Sequence, residues 1–294
     1  MTEPDNSSPQ ATSTAAPSDE PIDWWAEARG LLGMFMAVIA FHSLVAKPFY
    51  IPSSSMAPNL WVGDHLVVSK YPYGWNWASA SFHILPHGEW RLLGKTPAYG
   101  DVVIIVPRGR PNEDYIKRVV ALPGDRIALR HGQIILNGKP VPQEMLPRVQ
   151  VPLDALGSDE DPYPCEGFGF EGLKQRLPSG QLVCDMPAYR ETMPNGASYT
   201  VVDHTQQPYD EMVEVKVPEG HVFVMGDNRD HSADSRVSLE ERGLGGPVPL
   251  SDIGGRAELI THSYTAAAGW NPLTWFTALR SGRSGLSLRP KGAK

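Results

Sequence analysis

Two short stretches of this 294-residue chain carry residue types that could break an amide bond: Ile51-Pro52-Ser53-Ser54-Ser55-Met56-Ala57-Pro58 and Tyr115-Ile116-Lys117-Arg118. A serine hydroxyl is a weak nucleophile until a base takes its proton, and a lysine amine can be that base only when burial leaves it neutral. Lys117 stands between Ile116 and the apolar run Val119-Val120-Ala121-Leu122, surroundings that strip water from an ammonium. The same residues also fit a plainer pattern, a polar turn and a strand lysine with a packed stem and a solvated head.

A third stretch, Met225-Gly226-Asp227-Asn228-Arg229-Asp230-His231-Ser232-Ala233-Asp234-Ser235-Arg236, bears on the choice. By residue type, Ser232, His231 and Asp234 could form a Ser/His/Asp triad. Asp227, Arg229, Asp234 and Arg236 read as a lattice of ion pairs that fixes the loop. With SSMAPNL (54–60), VGDHLVVSKYPYG (62–74), YGDVVIIV (99–106), YIKRVVALPGDRI (115–127) and GGRA (254–257) in order, the chain resembles the bacterial type I signal peptidases, membrane-bound Ser/Lys endopeptidases.

The resemblance implies that Ser55 is the nucleophile and Lys117 the general base for both acylation and deacylation, so that Lys117 and not His231 takes the proton. It further implies that Ser232 aims the lysine, and that the Ser53 hydroxyl and the Ser55 amide hold the oxyanion. The substrates would be signal-peptide-bearing preproteins with small residues at −1 and −3, in a shallow apolar cleft. By position in the motifs Phe49, Ile51, Pro52, Met56, Leu60, Ile104, Tyr115 and Ile116 would line it. All eight fit a plain core equally, and Leu60 and Ile104 fit a core better. Asn59 stands where the family usually has Thr, and Ser54 where Gly is frequent; neither position carries chemistry. No cofactor or metal is implied. Two other functions are compatible with the residues: a self-cleaving Ser/Lys regulator of the repressor type, and a catalytically silent membrane-anchored β scaffold.

Around these stretches, Pro and Gly at 28 each and many Val and Ile favour short strands and turns, a mainly β fold. The formal charge of −7 offers no footprint for nucleic acid. The nine histidines and two cysteines show no zinc spacing, and Cys165 and Cys184 read equally as a disulfide or as two buried thiols.

Residues 1–21 form a polar acidic tail expected to be disordered, and 22–47 an anchor built on the uncharged run Gly30 to Ala46. Trp24 and Trp25 would mark one membrane interface and Phe49 and Tyr50 the other. The resemblance implies a single-pass protein of the bacterial inner (plasma) membrane, its catalytic domain on the periplasmic or outer side. A signal-peptidase-like β catalytic core would occupy 48–139 and 204–265. Its strands include Ile51 to Val68 (strand, turn, strand), Asp101 to Val106, Asp114 to Ala121, a hairpin from Arg126 whose second strand ends at Asn137-Gly138, Val213 to Val217, His221 to Met225 and a last strand at Glu258. Between the two halves, 140–203 reads as irregular, and by resemblance is a variable β subdomain away from the active site. The aromatic run Tyr71 to Phe82 and the basic, aromatic tail 266–294 suit membrane lipid as well as they suit a core and a frayed end.

Overall fold

A computed structural model of the chain describes residues 23–81, 85–154, 165, 170, 172–269 and 271–292. The tail 1–21, Phe82 and Trp270, for which expectations are given above, lie outside the described residues. The chain divides into two compact units, Met1–Val38 and Ile39–Lys294. Helix α1, Trp24–Leu44, starts in the first and ends in the second.

Helix α1 begins six residues before the uncharged run because Asp23 caps it, its carboxylate accepting the Trp25 and Ala26 amides at 3.0 and 3.2 Å. It stops at Leu44, ahead of Lys47-Pro48, where proline disfavours helix in the residue before it. Its 21 residues have the length and composition to cross a membrane, and none is buried. The anchor is therefore shorter at its C-terminal end than expected. Phe49 and Tyr50 belong to a strand, β1 (Ala46–Tyr50), and not to a helix end.

The body is mainly β. A seven-stranded antiparallel sheet runs in the order β1, β2 (Asp64–Ser69), β15 (Ile253–Ser263), β3 (Val102–Ile105), β4 (Tyr115–Ala121), β13 (His221–Met225) and β14 (Val248–Pro249). A second sheet joins β12 (Met212–Lys216), β5 (Arg126–Arg130), β6 (Gln133–Leu136) and β7 (Lys139–Pro140). A third joins β8 (Gln143–Pro152), β9 (Lys174–Arg176), β10 (Leu182–Thr192) and β11 (Ser198–Val202). Strands β3 and β4 are almost wholly buried, as their continuous apolar runs require. Alternate residues feed opposite faces: Val102, Ile104 and Ile116 pack with Ile51, Met56, Leu60 and Leu66, while Val103, Ile105 and Val119 pack with Val222, Val224 and Ile253.

Three expectations change. Ile51 to Ser53 is not strand; the backbone leaves β1 at Tyr50 and turns. The stretch 140–203 is not irregular, since β8, β10 and β11 fill much of it and pair over long registers. Pro147, Pro152 and Pro187 stand inside β8 and β10, which hides those strands from a composition reading. Cys165 and Cys184 are bonded to each other, inside a cluster of Val151, Phe170, Met186 and Ala188. Among its described residues the tail is docked rather than frayed. Arg280 meets Asp154, the Val62 carbonyl and the Ser263 hydroxyl, Arg283 meets Asp64, and Leu288 enters the core beside Ile260. The arginines that looked suited to an anionic surface are neutralised by internal carboxylates. A short helix α2, Pro272–Thr277, precedes them with Leu273 and Phe276 exposed.

Candidate active site

Ser55 lies in the turn between β1 and β2. That turn is pinned from both sides: Ala57 donates to the Ser54 carbonyl at 2.9 Å, and the Asn228 amide donates to the Ser55 carbonyl at 3.1 Å. Asn228 also reaches the Ser54 carbonyl through its side chain, at 3.3 Å. Lys117 comes from β4, and its Nζ stands 3.0 Å from Ser55 Oγ, with the lysine only 4% exposed. The Ser53 hydroxyl lies 3.2 Å from Ser55 Oγ. Along β4 the next side chain, Arg118, points the other way and grips Asp227 with two bonds of 2.6 Å. One strand thus delivers the amine to the serine and, on its opposite face, ties down the loop after β13.

Both stretches open onto one cleft of about 660 Å³. Phe49, Ile51, Pro52, Ser53 and Ser55 line one wall, and Ile104, Tyr115, Ile116 and Lys117 the other. Met56 and Leu60, expected in the lining, are instead fully buried in the core beneath it. Four charged residues with no place in the sequence reading of the cleft, Glu113, Asp114, Glu241 and Arg242, line it too. Arg242 pairs with Glu113 at 3.1 Å and accepts the Tyr115 hydroxyl on its carbonyl at 2.9 Å. Their sequence signal is slight, because 241 and 242 come from a loop that only tertiary folding brings to β4.

The ion-pair lattice is rearranged. Only Asp234 and Arg236 pair within the loop, at 3.0 Å. Asp227 pairs out to Arg118, and Arg229 to Glu191 of β10. Asn59 serves as a further tie, donating to Asp227 and to the Thr200 carbonyl at 2.7 Å each. The subdomain 140–203 is therefore not remote from the site. It supplies Glu191, it packs Met186 and Cys184 against Ala57, and Phe170 meets the His231 ring at 4.7 Å between centroids. A buried arginine demands a carboxylate; Arg118, adjacent to Lys117, could have been recognised as needing one, but its partner's identity could not.

The Ser/His/Asp alternative is not assembled. Burial opposes ionisation of Asp234, but Arg236 and the Gly226 and Arg236 amides outweigh it and hold the carboxyl below the usual range; His231 is not among its partners. Ser232 Oγ is buried without a hydrogen-bond partner among the described residues. It lies tight against Gly226: a Cβ there would stand 2.2 Å from Ser232 Oγ and 2.5 Å from the Ser55 carbonyl. Gly226→Ala should therefore push both serines at once, costing roughly 1–3 kcal/mol of stability and far more in activity than that loss explains. Melting curves beside initial rates check this, and a fully active variant would contradict it.

A second buried lysine, Lys70, backs the cleft wall: its ammonium and that of Lys47 sit 5.6 and 4.8 Å from the Phe49 ring centroid. Burial, then the Lys47 charge, lowers Lys70 to about 8. Beyond the loop, burial and the neighbouring Asp230 and Asp210 carboxylates raise Asp203 to about 7. An acid that is harder to ionise when folded stabilises the fold least at high pH: its contribution is intact below the ordinary value of 3.8 and lost as pH rises to about 7. Asp203→Asn should thus gain roughly 2–4 kcal/mol over the parent at pH 8 relative to pH 4. Urea denaturation at both pH values measures it, and an equal difference at the two would refute it.

Residues 24–262 match the family described as signal peptidase, peptidase S26, and the chain belongs to that family. It is thus a peptidase of signal-peptide processing. It is 30% identical over 253 residues to signal peptidase I of Rickettsia akari, covering 82% of this chain and 79% of that protein. It is 32% identical over 231 residues to signal peptidase I of Pseudomonas fluorescens, covering 77% and 68%. A crystal structure of a signal peptidase I from Enterococcus faecalis aligns with 55% of this chain and 97% of its own at 22% identity, with a TM-score of 0.26.

Proposed function

We propose that the chain is a membrane-anchored serine endopeptidase that removes signal peptides from exported preproteins after small residues at −1 and −3, with Ser55 as nucleophile and Lys117 as general base. The observation that carries this reading is the 3.0 Å approach of a buried amine to a serine hydroxyl at the wall of the cleft. Burial costs the ammonium its hydration and so favours the neutral amine that the reaction needs. As Ser55 Oγ attacks the scissile carbonyl carbon, Lys117 takes its proton and then passes it to the leaving amine. Water, deprotonated by the same amine, releases the acyl group from Ser55.

The sheet supplies the binding mode. Strand β1 is an edge, and β13 pairs with β4 from Arg118 onward, so among the described strands none pairs with Tyr115 and Ile116 on that side. An extended peptide can pair with the backbone there, and close walls of Ile51, Ile116 and Tyr115 favour small side chains beside the scissile bond. The Ser53 hydroxyl and the Ser55 amide are the donors for the oxyanion; one such donor is worth roughly 3–4 kcal/mol of barrier. Ser232 packs against Gly226 without a hydrogen bond to Lys117, so the aiming role that the resemblance implied for it gains no support, and α1 holds the body at the outer face of the inner membrane. Neither rival gains support: the described residues upstream of Ser55 are helix, strand and a tight turn, not a loop bearing a scissile bond.

The test is to incubate the detergent-solubilised protein with a precursor bearing an Ala-x-Ala site and to sequence the product's N-terminus. Cleavage after that site is expected; no cleavage, or cleavage elsewhere, overturns the reading.

A further inference from the structure

Three strands bring a row of rings onto one face of the large sheet. Tyr50 of β1 stands opposite His65 of β2, and His65 stands opposite His262 of β15. Residues directly opposite on paired strands share a face and touch. The two imidazoles are half-buried and stacked, with ring centroids 4.3 Å apart and planes 16° from parallel. Tyr50 packs on His65 at 5.2 Å, and the Tyr264 ring meets both, at 5.7 Å from His65 and 5.0 Å from His262.

The hydrogen bonds fix which nitrogen of each ring carries the proton. His65 Nδ1 lies 3.3 Å from the Gly63 carbonyl, which only accepts, so this nitrogen holds the proton and Nε2 keeps its lone pair. The Thr261 hydroxyl gives its proton to the His65 carbonyl at 3.1 Å. It therefore accepts from His262 Nδ1, 3.0 Å away, and Nε2 of that ring keeps its lone pair as well. A bulge in β15 between Ile260 and His262 turns Thr261 into this position. Among the described residues, no hydrogen-bond partner meets either Nε2. Burial, and then the charge that His262 would carry, hold His65 below its usual value, which favours the neutral ring that a metal ion needs.

We propose that His65 and His262 form a prepared two-nitrogen site for a late first-row divalent cation, binding copper(II) most tightly and nickel(II) and zinc(II) less so. Imidazole nitrogen suits these ions, and copper(II) stands at the top of their affinity order. A ligating histidine ordinarily gives its other N–H to a carbonyl or a similar acceptor, and both rings here already do. Metal–nitrogen bonds of about 2.0–2.1 Å each suit rings this close, which share one ion after a slight tilt toward each other. Among the described residues no group of three or more His, Cys, Asp or Glu gathers to hold a metal, so water completes the shell and the ion exchanges readily. An ion there ties β2 to β15 next to β1, whose Tyr50 also lines the cleft. The site is separate from Ser55 and Lys117, and its test does not depend on the peptidase reading.

The test is titration of the full-length, untagged chain in detergent with copper(II), read by calorimetry and by electron paramagnetic resonance, which counts the nitrogens bound to copper. The two cysteines are bonded to each other and do not compete. One ion per chain, held by two imidazole nitrogens, is expected. His65→Phe and His262→Phe keep a ring in the stack but remove the nitrogen, and each should weaken binding by roughly tenfold or more. His131→Phe, which alters an exposed ring elsewhere, should leave binding unchanged. Thr261→Val keeps both imidazoles and releases the His262 tautomer, so a site weaker by roughly tenfold is expected. Melting curves without metal establish that each variant is folded. Copper that survives both Phe variants is held elsewhere on the chain and overturns the site. A spectrum with a single imidazole nitrogen, no binding at all, or an affinity that Thr261→Val leaves unchanged overturns it equally.

Discussion

Lys117→Ala is expected to lower kcat/KM for precursor cleavage by roughly 10⁴-fold or more while leaving the melting temperature near that of the parent. The substitution removes the amine that stands 3.0 Å from Ser55 Oγ. Ser55→Ala should cost as much. Because the two act as one unit, the double variant should be no slower than either single variant. His231→Ala should keep most of the activity, since Asp234, the residue that would have to orient it, is committed to Arg236. Initial rates of the four variants on one precursor decide this. A Lys117→Ala protein that still processes precursor at more than a trace would remove the base from the mechanism.

The second large effect is on stability and arises far from Ser55 in sequence. Glu191 and Arg229 are each 1% exposed and paired at 2.5 Å. Glu191→Ala would leave a buried guanidinium without its counter-charge, a change worth about 3–5 kcal/mol. The Arg229 backbone pairs with Val202 and its side chain reaches the Gly226 carbonyl, so the loop bearing Ser232 should loosen and activity should fall with stability. Glu144→Ala is the control. It breaks the pair with Arg190 on the same subdomain, but both partners are well exposed, and a loss under about 1 kcal/mol is expected. Urea denaturation of both proteins provides the comparison. Equal losses would mean that the Glu191 pair contributes no more than a surface pair, and that the inserted subdomain is not coupled to the site.

What could be read from the chain followed the range of the interactions involved. Strands β3, β4, β12 and β13 are local patterns, continuous or alternating apolar residues between turn formers, and they stand where those patterns put them. Helix α1 starts two residues inside the expected anchor 22–47, where the Asp23 carboxylate caps it ahead of the uncharged run. Strands β8 and β10 were missed because each is largely polar along one face and gains its stability from pairing with the other. At the site, Ser55 and Lys117 could be named from motif and chemistry, and the structure brings them together. Met56 and Leu60 share the motif but face inward, and no sequence pattern separates a cleft wall from the layer just beneath it. Arg118, Glu191, Glu113, Glu241 and Arg242 depend on partners tens to more than a hundred residues away, a pairing that one sequence does not encode locally. The docking of the tail by Arg280 and Arg283 belongs to the same class.

The claim that Lys117 is the base is tested most directly by the pH dependence of kcat/KM in the parent and in Tyr115→Glu. The Tyr115 ring centroid lies 5.4 Å from Lys117 Nζ on the same face of β4, so a carboxylate placed there should favour the charged amine. Activity needs the neutral amine, so the acid limb of the profile should move to higher pH by about one unit. Tyr115→Gln, which also loses the hydroxyl bond to Arg242 but adds no charge, should leave the limb in place. If the limb stays unmoved in a folded, active Tyr115→Glu protein, or moves equally in Tyr115→Gln, then the titrating group is not Lys117 and the serine–lysine account fails.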